Sequence, residues 1–294
     1  MKTAWVFPGQ GSQAVGMGID LLEVGKDKFA EAESILGWSI EPLLQGDIAE
    51  LSKTQYTQPC LYLISAILAD LLKSQGNLPD LVTGHSLGEY TALYVAGAID
   101  FATGLDLVKQ RSKLMSEVSG GAMMALIGFD RPSLEEAIAT TADVVLANDN
   151  SAEQVVISGT QSAVQSVVDC IKVKRAIPLA VSGAFHSPLM AEAAAQFANV
   201  LSNVEFQDAQ IPVLSNIEPS NPTKSAQVLR DRLTQQMTSP VRWREICLFL
   251  ASDGIEQAIE VGAGKVLTGL IKRTSPSLQL VNISTLAQIS ALLL

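Results

Sequence analysis

Short apolar runs alternate along the chain with segments whose apolar residues recur every three to four positions. That pattern predicts strands and helices in turn, and so an α/β fold. Ala4 to Phe7 and Leu81 to Thr83 are strand-like, whereas residues 20 to 36 are patterned as a polar helix. The clearest unit starts near Ala122. Met123 to Phe129 is an apolar run ended by Asp130-Arg131-Pro132, and Ser133 to Thr141 has helical character. Val144 to Ala147 and Gln154 to Ser158 are two more strands, joined through the turn formers Asn148-Asp149-Asn150-Ser151. Gln161 to Lys172 carries a helical stripe of Val164, Val167, Val168 and Ile171, and Ala176 to Val181 closes the unit as a strand. The order β-α-β-β-α-β is the ferredoxin-like succession, which closes as a small sheet with two helices on one face. It predicts a small subdomain at 122–189, inserted into a larger α/β domain formed by 1–121 and 190–294.

Leu81-Val82-Thr83 leads into Gly84-His85-Ser86-Leu87-Gly88, and Glu89 to Ala96 follows as a helix that Gly97 can end. This is Gly-x-Ser-x-Gly in a strand-turn-helix context, where a strained turn leaves no room for a Cβ at the flanking positions. Ser86 is either a nucleophile beside the free N–H groups of a helix N-terminus or simply the cap of that helix. A nucleophilic serine needs a base, and the chain has two histidines. His85 adjoins Ser86 in the turn, so their side chains should diverge. His186, at the exit of the small unit's last strand, is the remaining candidate.

Arg111 falls in a gap of the helical stripe Leu107, Val108, Leu114, Met115 and Val118. A guanidinium on a core-facing position needs an anionic partner. It either snorkels to the surface, pairs with a structural carboxylate or, beside a serine nucleophile, holds a substrate carboxylate bidentately. Two glycine-rich stretches are less specific. Gly9-Gln10-Gly11-Ser12-Gln13-Ala14 formally matches a dinucleotide fingerprint, but the second strand with its acidic end is absent. Gly262-Ala263-Gly264-Lys265-Val266 lacks the leading glycine and the Ser/Thr of a P-loop.

Composition narrows the class. A net charge of −10 over 294 residues argues against a nucleic-acid binder. The apolar stretch Leu61 to Leu72 is interrupted by Asp70 and too short for a bilayer, so no membrane association is expected. Cys60, Cys170 and Cys247 are far apart, which fits neither a disulfide framework nor a zinc site. No metal site is expected, and the chain is read as cytoplasmic and reduced. The charge is uneven: residues 1–108 hold five basic and thirteen acidic side chains, residues 224–273 eight basic and five acidic. An acidic partner can therefore still find a positive face, with Lys172, Lys174 and Arg175 as further candidates.

Taken in order, Phe7-Pro8-Gly9-Gln10-Gly11-Ser12-Gln13, Gly84 to Tyr90, Arg111, Asn148 to Gly159, Phe185-His186-Ser187, Ser239-Pro240-Val241-Arg242-Trp243 and Glu260-Val261-Gly262 resemble the malonyl-CoA:acyl carrier protein transacylase family over nearly the whole chain. The resemblance implies a hydrolase-like parallel-sheet core with a ferredoxin-like insert. It makes Ser86 the acylated nucleophile and His186 its base, oriented by the backbone carbonyl of Gln236. It assigns the oxyanion hole to the N–H groups of Gln10 and Leu87, and the malonyl carboxylate to Arg111. It also implies malonyl over methylmalonyl, since in related acyltransferase domains that preference goes with a phenylalanine before the histidine and an aliphatic residue after the serine, here Phe185 and Leu87. The implied reaction is malonyl transfer from malonyl-CoA to the pantetheine thiol of an acidic acyl carrier protein for fatty acid synthesis, by a monomer without a cofactor. An acyl-serine hydrolase and a non-catalytic carrier-protein-binding relative are the alternatives.

Overall fold

The computed structural model describes residues 1–292. Among these residues nine strands follow one another as β1 (Thr3–Phe7), β2 (Leu81–Gly84), β3 (Gly121–Phe129), β4 (Val144–Ser151), β5 (Gln154–Thr160), β6 (Val173–Pro178), β7 (Val213–Leu214), β8 (Gln257–Val261) and β9 (Gln279–Ile283). They form two sheets. The five-stranded sheet is parallel throughout, ordered β7-β2-β1-β8-β9. Its inner strands are buried along almost their whole length, as expected where helices cover both faces. The long helix Thr54–Ser74 packs against helices Gly88–Val95 and Phe101–Glu117, and Leu61, Leu63, Ile64 and Leu68 anchor the main core. No helix among the described residues is long and apolar enough to cross a membrane.

The second sheet is antiparallel, ordered β4-β5-β3-β6. Helices Arg131–Thr140 and Gln161–Cys170 cover it, capped by Asp130 and Thr160, whose side chains accept from Ser133 and Ala163. Leu126, Leu134, Val144, Val155, Ile157, Val164 and Val167 give this sheet an apolar cluster of its own. The fold is thus the expected α/β arrangement of a parallel sheet with a ferredoxin-like insert. Lys174 and Arg175 are exposed on the edge strand β6, where charge discourages edge-to-edge pairing.

Local expectations shift in three places. The helix expected over residues 20–36 is a short 3-10 turn at Ile19–Leu21 and a separate helix Lys26–Leu36. Between them Gly25 lies so close to Ile67 that a Cβ there would come within 2.7 Å of its Cδ1. The last strand of the small sheet begins at Val173, not Ala176, and the preceding helix stops at Cys170. Most important, Asn148 to Ser151 is not a turn. β4 continues through it with two register shifts, and the hairpin turn is Ala152-Glu153.

Long-range partners override the local turn preference of that segment. The Asp149 N–H donates to Val241 O (2.9 Å) and the Val241 N–H donates to Ala147 O (2.8 Å). The Asp149 carboxylate is gripped by Arg131 (2.8 Å) and by Arg244 (2.9 Å) of helix Trp243–Ser252. This bulged strand is the seam between the small sheet and the parallel-sheet body.

Candidate active site

β2 ends in the Gly-x-Ser-x-Gly turn, and Ser86 adopts φ +50°, a conformation that ordinary side chains rarely occupy. A Cβ at Gly84 would lie 1.9 Å from the Gly88 carbonyl carbon, and one at Gly88 would lie 2.0 Å from Phe7 O. Only glycine fits either position. The turn is pinned by Asn216, two residues beyond β7: its Oδ1 accepts from the Ser86 N–H (2.7 Å) and its Nδ2 donates to Gly84 O. Nothing local in the sequence marks Asn216, because its role arises from a partner 130 residues away.

Ser86 Oγ is 2.8 Å from His186 Nε2. His186 Nδ1 faces the carbonyl oxygens of Gln236 (3.0 Å) and Ser239 (3.1 Å). Carbonyls only accept, so Nδ1 carries the proton and Nε2 is left as the acceptor for the serine hydroxyl. The carbonyl of Gln236 thus does the orienting that a carboxylate does in other serine enzymes. His85 does turn away from Ser86. Its Nε2 meets Asn150 Oδ1 at 2.8 Å, on the small sheet.

Burial, and after it the positive charge of Arg111, pushes the His186 imidazole down to about 3. Its native value is therefore below the usual 6.5, and the native state stays unprotonated in a range where the unfolded chain binds a proton. Stability is unaffected above that range and falls as pH drops from 6.5 toward 3. For the acylation that the resemblance implies, we expect no histidine limb in kcat/KM between about pH 7.5 and pH 5.5. A limb near 6.5 in stopped-flow pH profiles would contradict this protonation state.

Arg111 is completely buried and has no salt bridge among the described residues. It neither snorkels nor pairs directly with a structural carboxylate. Its guanidinium lies over the Tyr90 ring (5.4 Å) and donates to Gln58 Oε1 (2.7 Å), Gln236 Oε1 (3.1 Å) and Ser86 Oγ (2.9 Å). Gln58 is almost completely buried near the start of helix Thr54–Ser74, but its neighbours Thr54, Gln55 and Thr57 are polar too, so nothing local in the sequence marks it.

Gly9 allows the loop after β1 to approach the turn, since a Cβ there would lie 2.4 Å from His85 O. No helix follows directly on that loop, so the dinucleotide fingerprint has no helix N-terminus to serve it. Among the described residues the N–H groups of Gln10 and Leu87 donate to no other protein group. Both residues line a cavity of about 260 Å³ together with Ser86, Met115, Phe185 and His186. At the Gly262–Lys265 stretch, Glu260 accepts the N–H groups of Leu267 (3.0 Å) and Thr268 (2.7 Å), which closes that helix start to a phosphate. The cavity therefore offers a serine, a neutral base and two unengaged N–H groups, with the buried Arg111 guanidinium behind the Ser86 hydroxyl, a set suited to acyl transfer.

The acyl transferase domain model matches residues 4–289. The chain belongs to the acyl transferase domain family. Within that family it falls among the malonyl-CoA:acyl carrier protein transacylases. It is 58% identical over 294 residues to the malonyl CoA-acyl carrier protein transacylase of Synechocystis, covering 99% of this chain and all of the relative. The crystal structure of the Synechocystis transacylase superposes with a TM-score of 0.97 at 57% identity, over 99% of this chain and 100% of that one. A malonyl-transacylase solved in complex with its type II PKS acyl-carrier protein gives a TM-score of 0.94 at 41% identity, over 99% and 98% of the two chains.

Proposed function

We propose that this transacylase-family chain moves a malonyl group from malonyl-CoA to the pantetheine thiol of acyl carrier protein, through a malonyl-Ser86 intermediate, and supplies fatty acid synthesis in the cytoplasm. One observation carries the reading: a fully buried guanidinium 2.9 Å from the Ser86 hydroxyl, held only by neutral groups. A buried cation so placed is matched to an acyl group that brings its own carboxylate.

In the first step the malonyl carboxylate takes Arg111 bidentately, and the guanidinium gives up its bond to Ser86 Oγ. His186 Nε2 accepts the hydroxyl proton as Oγ attacks the thioester carbon. The oxyanion forms against the N–H groups of Gln10 and Leu87; its collapse breaks the C–S bond, and the thiolate of coenzyme A takes the proton from His186. In the second step the carrier's thiol gives its proton to His186 and attacks the malonyl-serine ester. Ser86 Oγ leaves and recovers that proton. Both donors and acceptors carry the same amide-containing pantetheine arm. The carboxamides of Asn148, Asn150 and Gln154, beside the apolar Met123, Val156 and Leu270, line the cavity with groups suited to such an arm.

Initial rates measured at varied malonyl-CoA and carrier protein should give parallel double-reciprocal lines, the mark of two half-reactions sharing one acyl-enzyme. Intersecting lines would overturn the covalent route, and malonate release independent of carrier would assign the site to a hydrolase.

A further inference from the structure

Three carboxylates among the described residues are at least 95% buried, and two have evident partners: Asp149 is paired with Arg131 and Arg244, and Glu260 caps a helix. Glu89 is different. Its Oε2 accepts from the Asn216 N–H (3.1 Å) and from Gln236 Nε2 (2.9 Å), and both donors are neutral. Arg111, equally buried, also touches only neutral groups. The two unpaired charges meet at one side chain. The Gln236 carboxamide turns its NH2 to Glu89 and its oxygen to Arg111, so its dipole bridges anion and cation.

We propose that Glu89, three residues after the nucleophile, is the resident counter-charge of Arg111 and sets how tightly the acyl pocket holds a carboxylate. Its substrate half rests on the malonyl reading above; the charge pairing does not.

Burying either ion alone is unfavourable by several kcal/mol, so the empty pocket needs a balancing charge. Burial raises the Glu89 carboxyl; the Gln236, Asn216 and Ser215 donors, and after them the Arg111 charge, pull it back down. Burial likewise lowers Arg111, and the Tyr90 and Glu89 side chains oppose that. Arg232 also feels Glu89, but Glu218 acts on it more strongly and its guanidinium donates to Asn221 O. With Glu89 ionised the empty site is neutral overall, and an arriving carboxylate is attracted by Arg111 but repelled by Glu89. Without that charge the entering anion would be the sole counter-ion, and the site would hold it more tightly.

Glu89→Gln isolates the charge, because both N–H bonds fall on one oxygen that a carboxamide oxygen can replace. Thermal denaturation of Glu89→Gln, Arg111→Gln and the double variant forms a cycle that reads the pairing without any substrate. Each single change should lower Tm, and the double should lose clearly less than the sum. Should Glu89→Gln fail to fold, the double variant, free of both charges, should still be recovered folded. Additive losses, or a double variant that does not fold, would overturn the pairing. Titration with malonate should then show Glu89→Gln binding about tenfold tighter than the unmodified protein, about 1.4 kcal/mol, and the double variant binding weakest. Unchanged or weaker malonate binding by Glu89→Gln would overturn the role in affinity. Absence of malonate binding by the unmodified protein would instead count against the malonyl reading, leaving the stability cycle to judge the pairing.

Discussion

His186→Ala should lower kcat/KM about a thousandfold, and equally for malonyl and acetyl thioesters. Its Nε2 is the acceptor 2.8 Å from Ser86 Oγ, and a positioned base contributes roughly 10² to 10⁴ in rate. The upper half of that range applies because the alternatives are poor. His85 is turned to Asn150, and the Arg111 guanidinium at Oγ is a donor that cannot take a proton. The effect should appear in acyl-enzyme formation and in discharge, since both steps pass a proton through the same nitrogen. A loss below about tenfold in either half-reaction would mean that another group acts as base.

Arg111→Ala should separate the two substrates. Losing a desolvated guanidinium–carboxylate contact removes about 3 kcal/mol of transition-state stabilisation for malonyl, roughly a hundredfold in kcat/KM. Acetyl transfer should be spared or improved, because Arg111 Nη2 also occupies a lone pair of Ser86 Oγ when no carboxylate is present. The measurement is kcat/KM for malonyl-CoA and acetyl-CoA side by side. Equal losses for both would give Arg111 a purely structural role.

What the sequence made legible follows the range of the forces involved. The small sheet could be read because its strand and helix signals are local and its two helices bring their own caps, Asp130 and Thr160. The Gly-x-Ser-x-Gly turn could be read because its steric demand falls on Gly84 and Gly88, two residues either side of Ser86. Arg111 was marked by a gap in its own helix stripe. Asn216 and Glu89 were not, since they act on each other across 127 residues and on Ser86 and Gln236 across 130 and 147. Asn148 to Ser151 was misread for the same reason: Val241, Arg131, Arg244 and His85 hold extended a segment whose composition favours a turn.

The proposed reaction turns on a malonyl ester on Ser86 that waits for the carrier thiol. Intact-mass measurement after incubation with malonyl-CoA tests it most directly. We expect the mass of one added malonyl group, absent from Ser86→Ala, that persists until phosphopantetheinylated acyl carrier protein is added and then appears on the carrier. A label that survives in Ser86→Ala, or that is lost to water before the carrier arrives, would contradict it.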